Sequence, residues 1–207
     1  MKLKLLGVNP QTNTKWLNQY RFHLEDRKGK GLDYFVSSRN SIENLKALKK
    51  REDKDNPDAV IINAVYKDKL VLIRQYRVPL NDYIYEFPAG LIDKGETVDE
   101  AGIRELKEET GLDLVEIENP FCKNDKGFFN SVGMTDECSS TIYGYASGNI
   151  SKDKQEEMED IEIVLVDRKE AKRILREELV SANCSKDLMY FIASEKGHEF
   201  DFLKECE

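Results

Sequence analysis

Apolar positions in the first forty residues come in short runs broken by polar ones. Trp16-Leu-Asn-Gln-Tyr-Arg-Phe-His-Leu24 and Leu32-Asp-Tyr-Phe-Val-Ser-Ser38 flank the polar, Gly-containing stretch Glu25–Gly31. Two such runs around a glycine-bearing turn predict an antiparallel hairpin. Residues 41–58 are highly charged and end at Asn56-Pro57, which reads as a linker with one helical turn. Ala59–Tyr66 is apolar and β-branched, so a buried strand is expected there. Lys67-Asp-Lys69 turns the chain into a returning strand, Leu70–Tyr76, and Tyr83–Phe87 forms another that Pro88 stops.

A helix is expected over 97–110. Thr97 and Glu100 stand in capping-box spacing at its start, and Gly111 follows its end. Strands follow near 113–122, 127–131, 138–147 and 161–166, then a helix near 168–180. Leu188–Ala193 also looks helical. Strands, helix, strands, helix is the order of a mixed α+β architecture. We expect an N-terminal hairpin region over 1–55 and a larger domain over 56–207.

The chain has 207 residues, enough to bury a core without disulfides or a structural metal. With 32 Lys and Arg against 40 Asp and Glu, its formal charge is −8. That balance argues against nucleic acid as a partner, which calls for basic patches. Cys122, Cys138, Cys184 and Cys206 form no CxxC pair, so zinc is not indicated and reduced thiols are expected. The apolar N-terminal stretch is too short for a signal peptide, and no stretch approaches a membrane span, so the expected location is the cytoplasm.

Candidate chemistry concentrates between Gly90 and Leu112. Glu105 and Glu109 are four residues apart on the expected helix, and Glu105 and Glu108 three apart. These spacings place all three carboxylates on one helical face, where like charges repel. A cation among them would remove that penalty. Oxygen-only ligands suit Mg²⁺ or Mn²⁺, and such ions bridge phosphate oxygens and acidify bound water. Arg104 is placed to pair with Glu96 or Glu100 and orient the cluster. Gly90 and Gly95 allow unusual backbone geometry before the helix, which would turn the Ala89 carbonyl toward the metal.

Glu-rich surface helices are common, so Glu-Leu-Lys-Glu-Glu alone would mean little. The full pattern fixes Gly90, Glu96, Arg104, Glu105, Glu108, Glu109 and Gly111. Chance gives it in roughly one of 10⁸ windows. The pattern resembles the Nudix box at every position. The adjoining Ile73-Arg-Gln-Tyr-Arg77 and Tyr85-Glu-Phe-Pro-Ala-Gly90 runs are similar to the ADP-ribose pyrophosphatase branch of that family. The resemblance implies a Nudix α/β/α sandwich with a mixed sheet, preceded by the small hairpin region. It also implies metal ligation by the Ala89 carbonyl, Glu105 and Glu109, with Glu108 in the metal cluster.

The branch carries a catalytic Glu in a loop after the box. Ser131-Val-Gly-Met-Thr-Asp-Glu137 corresponds to that loop. Glu137 is therefore the candidate general base or additional metal ligand, with Asp136 as the alternative. Val132 stands where the branch has Pro, and the segment between box and loop is longer here. The resemblance further implies that Trp16 and Tyr34 clamp the base, with Arg39 and Arg77 on the phosphates. Packing of the hairpin on the core is the alternative for Trp16 and Tyr34, and a surface ion pair for Arg77. Glu86 either orients the site or caps a strand. The branch also implies a homodimer through the N-terminal region.

The expected reaction is metal-dependent hydrolysis of a nucleoside diphosphate sugar, ADP-ribose first, to AMP and ribose 5-phosphate. The alternatives are another nucleotide sugar or dinucleotide, such as GDP-mannose or NADH, and a catalytically silent nucleotide-binding module. An acidic scaffold would leave the box unexplained. His23 and His198 match no part of the motif, and no Gly-x-Ser-x-Gly supports a serine hydrolase.

Overall fold

The computed structural model describes residues 3–120, 126–155 and 160–204. Two compact units are present: Met1–Asp58 with Lys126–Ser139, and Ala59–Asp125 with Ser140–Glu207.

The first unit holds an antiparallel sheet of β1 (Lys4–Pro10), β2 (Asn18–Glu25) and β3 (Gly31–Ser38). The expected hairpin is β2 and β3, and β1 adds a third strand that the sequence reading missed. Strand β1 needs β2 as its template, and its own residues give a weak alternation. Alternate side chains of β2, Tyr20 and Phe22, pack with Leu45 as a small core. Leu45 lies between two short 3₁₀ turns, Ile42–Asn44 and Lys46–Leu48, and a third covers Arg51–Asp53. The expected linker is thus partly buried structure.

The second unit is built on a large mixed sheet. Its strands include β4 (Ala59–Tyr66), β5 (Lys69–Arg77), β6 (Asp82–Glu86), β7 (Ala89–Leu91), β8 (Leu112–Ile117), most of β10 (Cys138–Gly148) and β11 (Ile161–Val166). The order is β11-β5-β4-β10-β8, with β6 on β5 and β7 on β4. In the first unit, β9 (Phe128–Phe129) pairs with Cys138 and Ser139. Beyond Pro120, the end of the expected 113–122 strand lies outside the described residues, as do Cys122 and Cys206. Cys138 and Cys184 are free and buried.

Strand β4 explains the layering. Val60, Ile62, Ala64 and Tyr66 pack with Val98, Ala101 and Leu106 of helix α1 (Val98–Thr110). Ile61 and Val65 belong to the opposite cluster, with Ile174 of α2 (Arg168–Glu177) and Cys184, Leu188 and Phe191 of α3 (Ala182–Ala193). A strand with both faces buried reads as a near-continuous apolar run, as β4 does except at Asn63. Helices therefore cover both faces, the α/β/α sandwich expected. Helix α3 begins six residues before the expected Leu188, because its first turns are polar. Among the described residues, no helix is long and apolar enough to cross a membrane.

Candidate active site

Helix α1 is positioned by its ends. The Thr97 side chain accepts from the Glu100 amide at 3.2 Å, and Glu100 accepts from the Thr97 amide at 2.9 Å. Gly111 adopts φ +76° and donates to the Lys107 carbonyl, closing the helix. Such a left-handed cap favours glycine. Leu106 is buried on one side of α1, so Glu105, Glu108 and Glu109 are carried at fixed offsets from the core.

The three carboxylates differ in exposure. Glu109 is buried, the Glu105 side chain is 16 % exposed and that of Glu108 is 44 % exposed. Arg104 lies among their neighbours. Its Nε and Nη2 donate to the two oxygens of Glu96 at 2.8 and 2.9 Å. Its Nη1 donates to Glu105 at 2.7 Å and to Glu108 at 3.1 Å, and Nη2 also reaches the Leu91 carbonyl. Glu96, not Glu100, is thus its main partner, since Glu100 is spent on the cap. The Arg104 hydrogen bonds, with one from the Asp93 amide, hold the Glu96 carboxyl down at about 2. The same contacts raise the already high pKa of Arg104.

Gly90 has a different role from the one expected. Gly95 does take a left-handed conformation, φ +91°. Gly90, in β7 and paired with Val60, has no positive φ. A Cβ built on Gly90 would lie 1.9 Å from Cδ of Glu105. The missing side chain is the space that the Glu105 carboxylate fills.

Ala89 sits at the start of β7, opposite Ile61. Glu86 accepts from Nε of Arg77 at 2.6 Å. Arg77 therefore has a definite ion-pair partner, on the neighbouring strand β6. Among the described residues, no three Asp, Glu, His or Cys side chains converge in a metal-holding arrangement. Arg104 instead takes one oxygen each from Glu105 and Glu108. The donor set is nevertheless oxygen-only, of the kind a hard divalent cation takes. The space beside Gly90 is taken up by the Glu105 carboxylate. The residues present fit such a cation.

The remaining predicted residues belong to the first unit. Trp16 is 67 % exposed, with Lys15 over its ring, and Tyr34 is 42 % exposed. Neither belongs to the small core of the first unit. Tyr34 donates its hydroxyl to the Gly133 carbonyl at 2.5 Å, and the Ser37 amide donates to the Met134 carbonyl at 2.9 Å. Arg39 Nε donates to Glu137 Oε2 at 3.1 Å, and Asn130 reaches Glu137 Oε1 at 3.4 Å. Tyr34, Ser37 and Arg39 together fasten the 131–137 loop to β3. Asp136 accepts from the Lys46 amide at 3.1 Å, a backbone-fixing role. Lys46 and Asn130 were missed by sequence reasoning. Lys46 is one charge in a charged run, and its partners lie far along the chain.

Residues 55–188 match the NUDIX domain family. The chain belongs to the Nudix family. Nudix hydrolases generally use divalent metal ions, in keeping with the donor set on α1. The chain is 36 % identical over 110 residues to an ADP-ribose pyrophosphatase of Bacillus subtilis (strain 168), covering 53 % of this chain and 56 % of that protein. It is 30 % identical over 131 residues to an ADP-ribose pyrophosphatase of Saccharomyces cerevisiae, covering 60 % and 52 %. The matches thus span about half the length of these curated relatives. A crystal structure of an ADP compounds hydrolase superposes with a TM-score of 0.68 over 93 % of both chains, at 22 % identity. At that identity the likeness extends to the fold.

Proposed function

We propose that this Nudix protein hydrolyses the pyrophosphate of a nucleoside diphosphate sugar, ADP-ribose first, giving AMP and ribose 5-phosphate. The observation that carries this reading is the Glu105 carboxylate seated under Gly90 on a helix whose Glu108 and Glu109 share its face. Relatives named ADP-ribose pyrophosphatase favour the adenine nucleotide.

Mg²⁺ would be held by the Ala89 carbonyl, Glu105, Glu108 and Glu109, and it supplies charge neutralisation at the pyrophosphate and an acidified water. Arg104 then orients the carboxylates, with Glu96 fixing its guanidinium through two parallel bonds. Glu86 takes Nε of Arg77, and we assign the Nη edge of Arg77 to phosphate. Exposed Trp16 and Tyr34 suit stacking on a base, and Arg39 a second phosphate contact. For water activation we assign Glu137 over Asp136. Among the described residues the Glu137 carboxylate is held by two side chains, Arg39 and Asn130, whereas that of Asp136 is committed to a backbone amide. A homodimer through the N-terminal region and a cytoplasmic setting complete the reading.

The test is chromatography of products from ADP-ribose, GDP-mannose and NADH with and without Mg²⁺. We expect AMP from ADP-ribose at the highest kcat/KM, abolished by chelation. Equal turnover of all three would withdraw the ADP-ribose assignment, and no turnover of any would favour a silent nucleotide-binding module.

A further inference from the structure

Lys46 is a buried lysine with an unusual neighbour. Its Nζ lies 2.7 Å from Sγ of Cys138, 2.7 Å from Oδ2 of Asp58 and 2.7 Å from the Asn56 carbonyl. Cys138 is fully buried, donates its thiol to the Asn56 carbonyl at 3.1 Å and gives its amide to Asp58 at 2.9 Å. All four residues belong to the first unit.

The nitrogen–sulfur separation is the informative quantity. N–H···O bonds have a most common length of ~2.9 Å, and sulfur is larger than oxygen. An ordinary N–H···S contact is therefore longer than 2.7 Å. Two single bonds through one oxygen atom would span about the same distance, so the pair is held where such a bridge fits. The two side chains also approach with nothing between them, and their reach is fixed from both sides. The Lys46 amide is tied to Asp136, and Cys138 opens β10 against β9.

We propose that Lys46 and Cys138 form an oxidative cross-link, Nζ–O–Sγ, with hydrogen peroxide as the oxidant. Two peroxides are consumed. The first takes two electrons from sulfur: its O–O bond breaks, one oxygen becomes S–OH, and water leaves with the thiol proton. Asp58 accepts the proton that the Lys46 ammonium must shed. The second peroxide takes two electrons from nitrogen, an N–O bond forms to the sulfenyl oxygen, and two waters leave. The sum is one ammonium, one thiol and two peroxides giving the bridge, three waters and one proton. Burial pushes the Cys138 thiol up, with Lys46 opposing in part, so the resting pair is ammonium and thiol and the step needs an oxidant in excess. The Asp58 side chain is 21 % exposed and opens the cluster to solvent on one side.

The full chain, freed of reductant, is treated with excess hydrogen peroxide, digested without reductant and read by tandem mass spectrometry. We expect the Lys46 and Cys138 peptides joined, about 14 Da heavier than their sum, one oxygen in and two hydrogens out. Dithiothreitol restores both peptides, and Cys138→Ser lacks the join. Recovery of Cys138 only as thiol or as its sulfenic, sulfinic or sulfonic acid, with Lys46 unmodified, overturns the proposal. So does a direct S–N link about 2 Da lighter than the sum. The wild-type digest decides by itself if the variant does not fold.

Discussion

Arg104 grips Glu96 through two parallel hydrogen bonds of 2.8 and 2.9 Å while its remaining nitrogen reaches Glu105 and Glu108. One guanidinium thus sets the spacing of the acidic face before any ligand arrives. Arg104→Gln is expected to lower kcat on ADP-ribose by about 10- to 100-fold, the usual cost of losing a partner that orients metal ligands. Arg104→Lys should recover little, because an ammonium cannot reproduce the fork. Steady-state kinetics over a Mg²⁺ titration checks both. Full activity in Arg104→Gln would remove the orienting role.

Gly90→Ala places a methyl group inside the Glu105 carboxylate. Glu105 must then swing out or β7 must shift. We expect at least a tenfold fall in kcat with an overpacking cost of about 1–3 kcal/mol. Paired assays of turnover and thermal unfolding decide it. An alanine variant with native kcat would show that the seat of Glu105 is unimportant.

Glu137→Gln keeps size and hydrogen bonding to Arg39 but cannot take a proton. A drop in kcat of about 10²-fold or more, with KM nearly unchanged, is expected if it activates water. Asp136→Asn should leave kcat near native, since its amide oxygen can still accept from Lys46. The reverse ranking in a side-by-side assay would move the base to Asp136.

How much of this was readable beforehand follows from how local each signal is. Helix α1 was legible because Thr97, Glu100 and Gly111 encode its ends within the element itself. The acidic face followed from spacing alone. Strand β1 was not, since Leu5 and Val8 have meaning only beside β2. The start of α3 was hidden by Asn183, Ser185 and Lys186, polar residues on its outer side. The use of Gly90 was misjudged because its constraint comes from a side chain fifteen positions on, and backbone freedom is the more familiar reason for a glycine. Lys46 was invisible in its charged run, as Cys138 is 92 residues away.

The Asn63–Asp187 pair gives a pH-dependent test. Asn63 donates to Asp187 at 2.8 Å, and among the described residues the other Asn63 amide atom, Oδ1, is buried without a hydrogen bond. Burial pushes the Asp187 carboxyl above its ordinary value, with the Asn63 bond opposing. The folded state therefore holds that proton more tightly than the unfolded chain. Its stabilising contribution is present at low pH and is lost as pH rises through the raised value. Asp187→Asn removes the titration and offers Asn63 Oδ1 a donor. We expect a gain of about 1 kcal/mol at pH 7 that shrinks toward pH 4, read by urea unfolding. A variant less stable than wild type at pH 7 would contradict this account.

Lys46→Met should destabilise by about 3 kcal/mol, because Asp58 loses its buried counter-charge. Denaturant unfolding measures it, and a neutral result would mean that Asp58 rehydrates freely.

The contact between Gly90 and Glu105 also bears on how this sequence can vary. The two positions lie on a strand and a helix, yet neither can be chosen alone. A lineage that gains a side chain at 90 must let the carboxylate at 105 move from its seat, and one that shortens 105 leaves a hollow that favours filling 90. Descendants should therefore carry both or neither. A related sequence with glycine at one position and no glutamate at the other would record a lineage caught between the two.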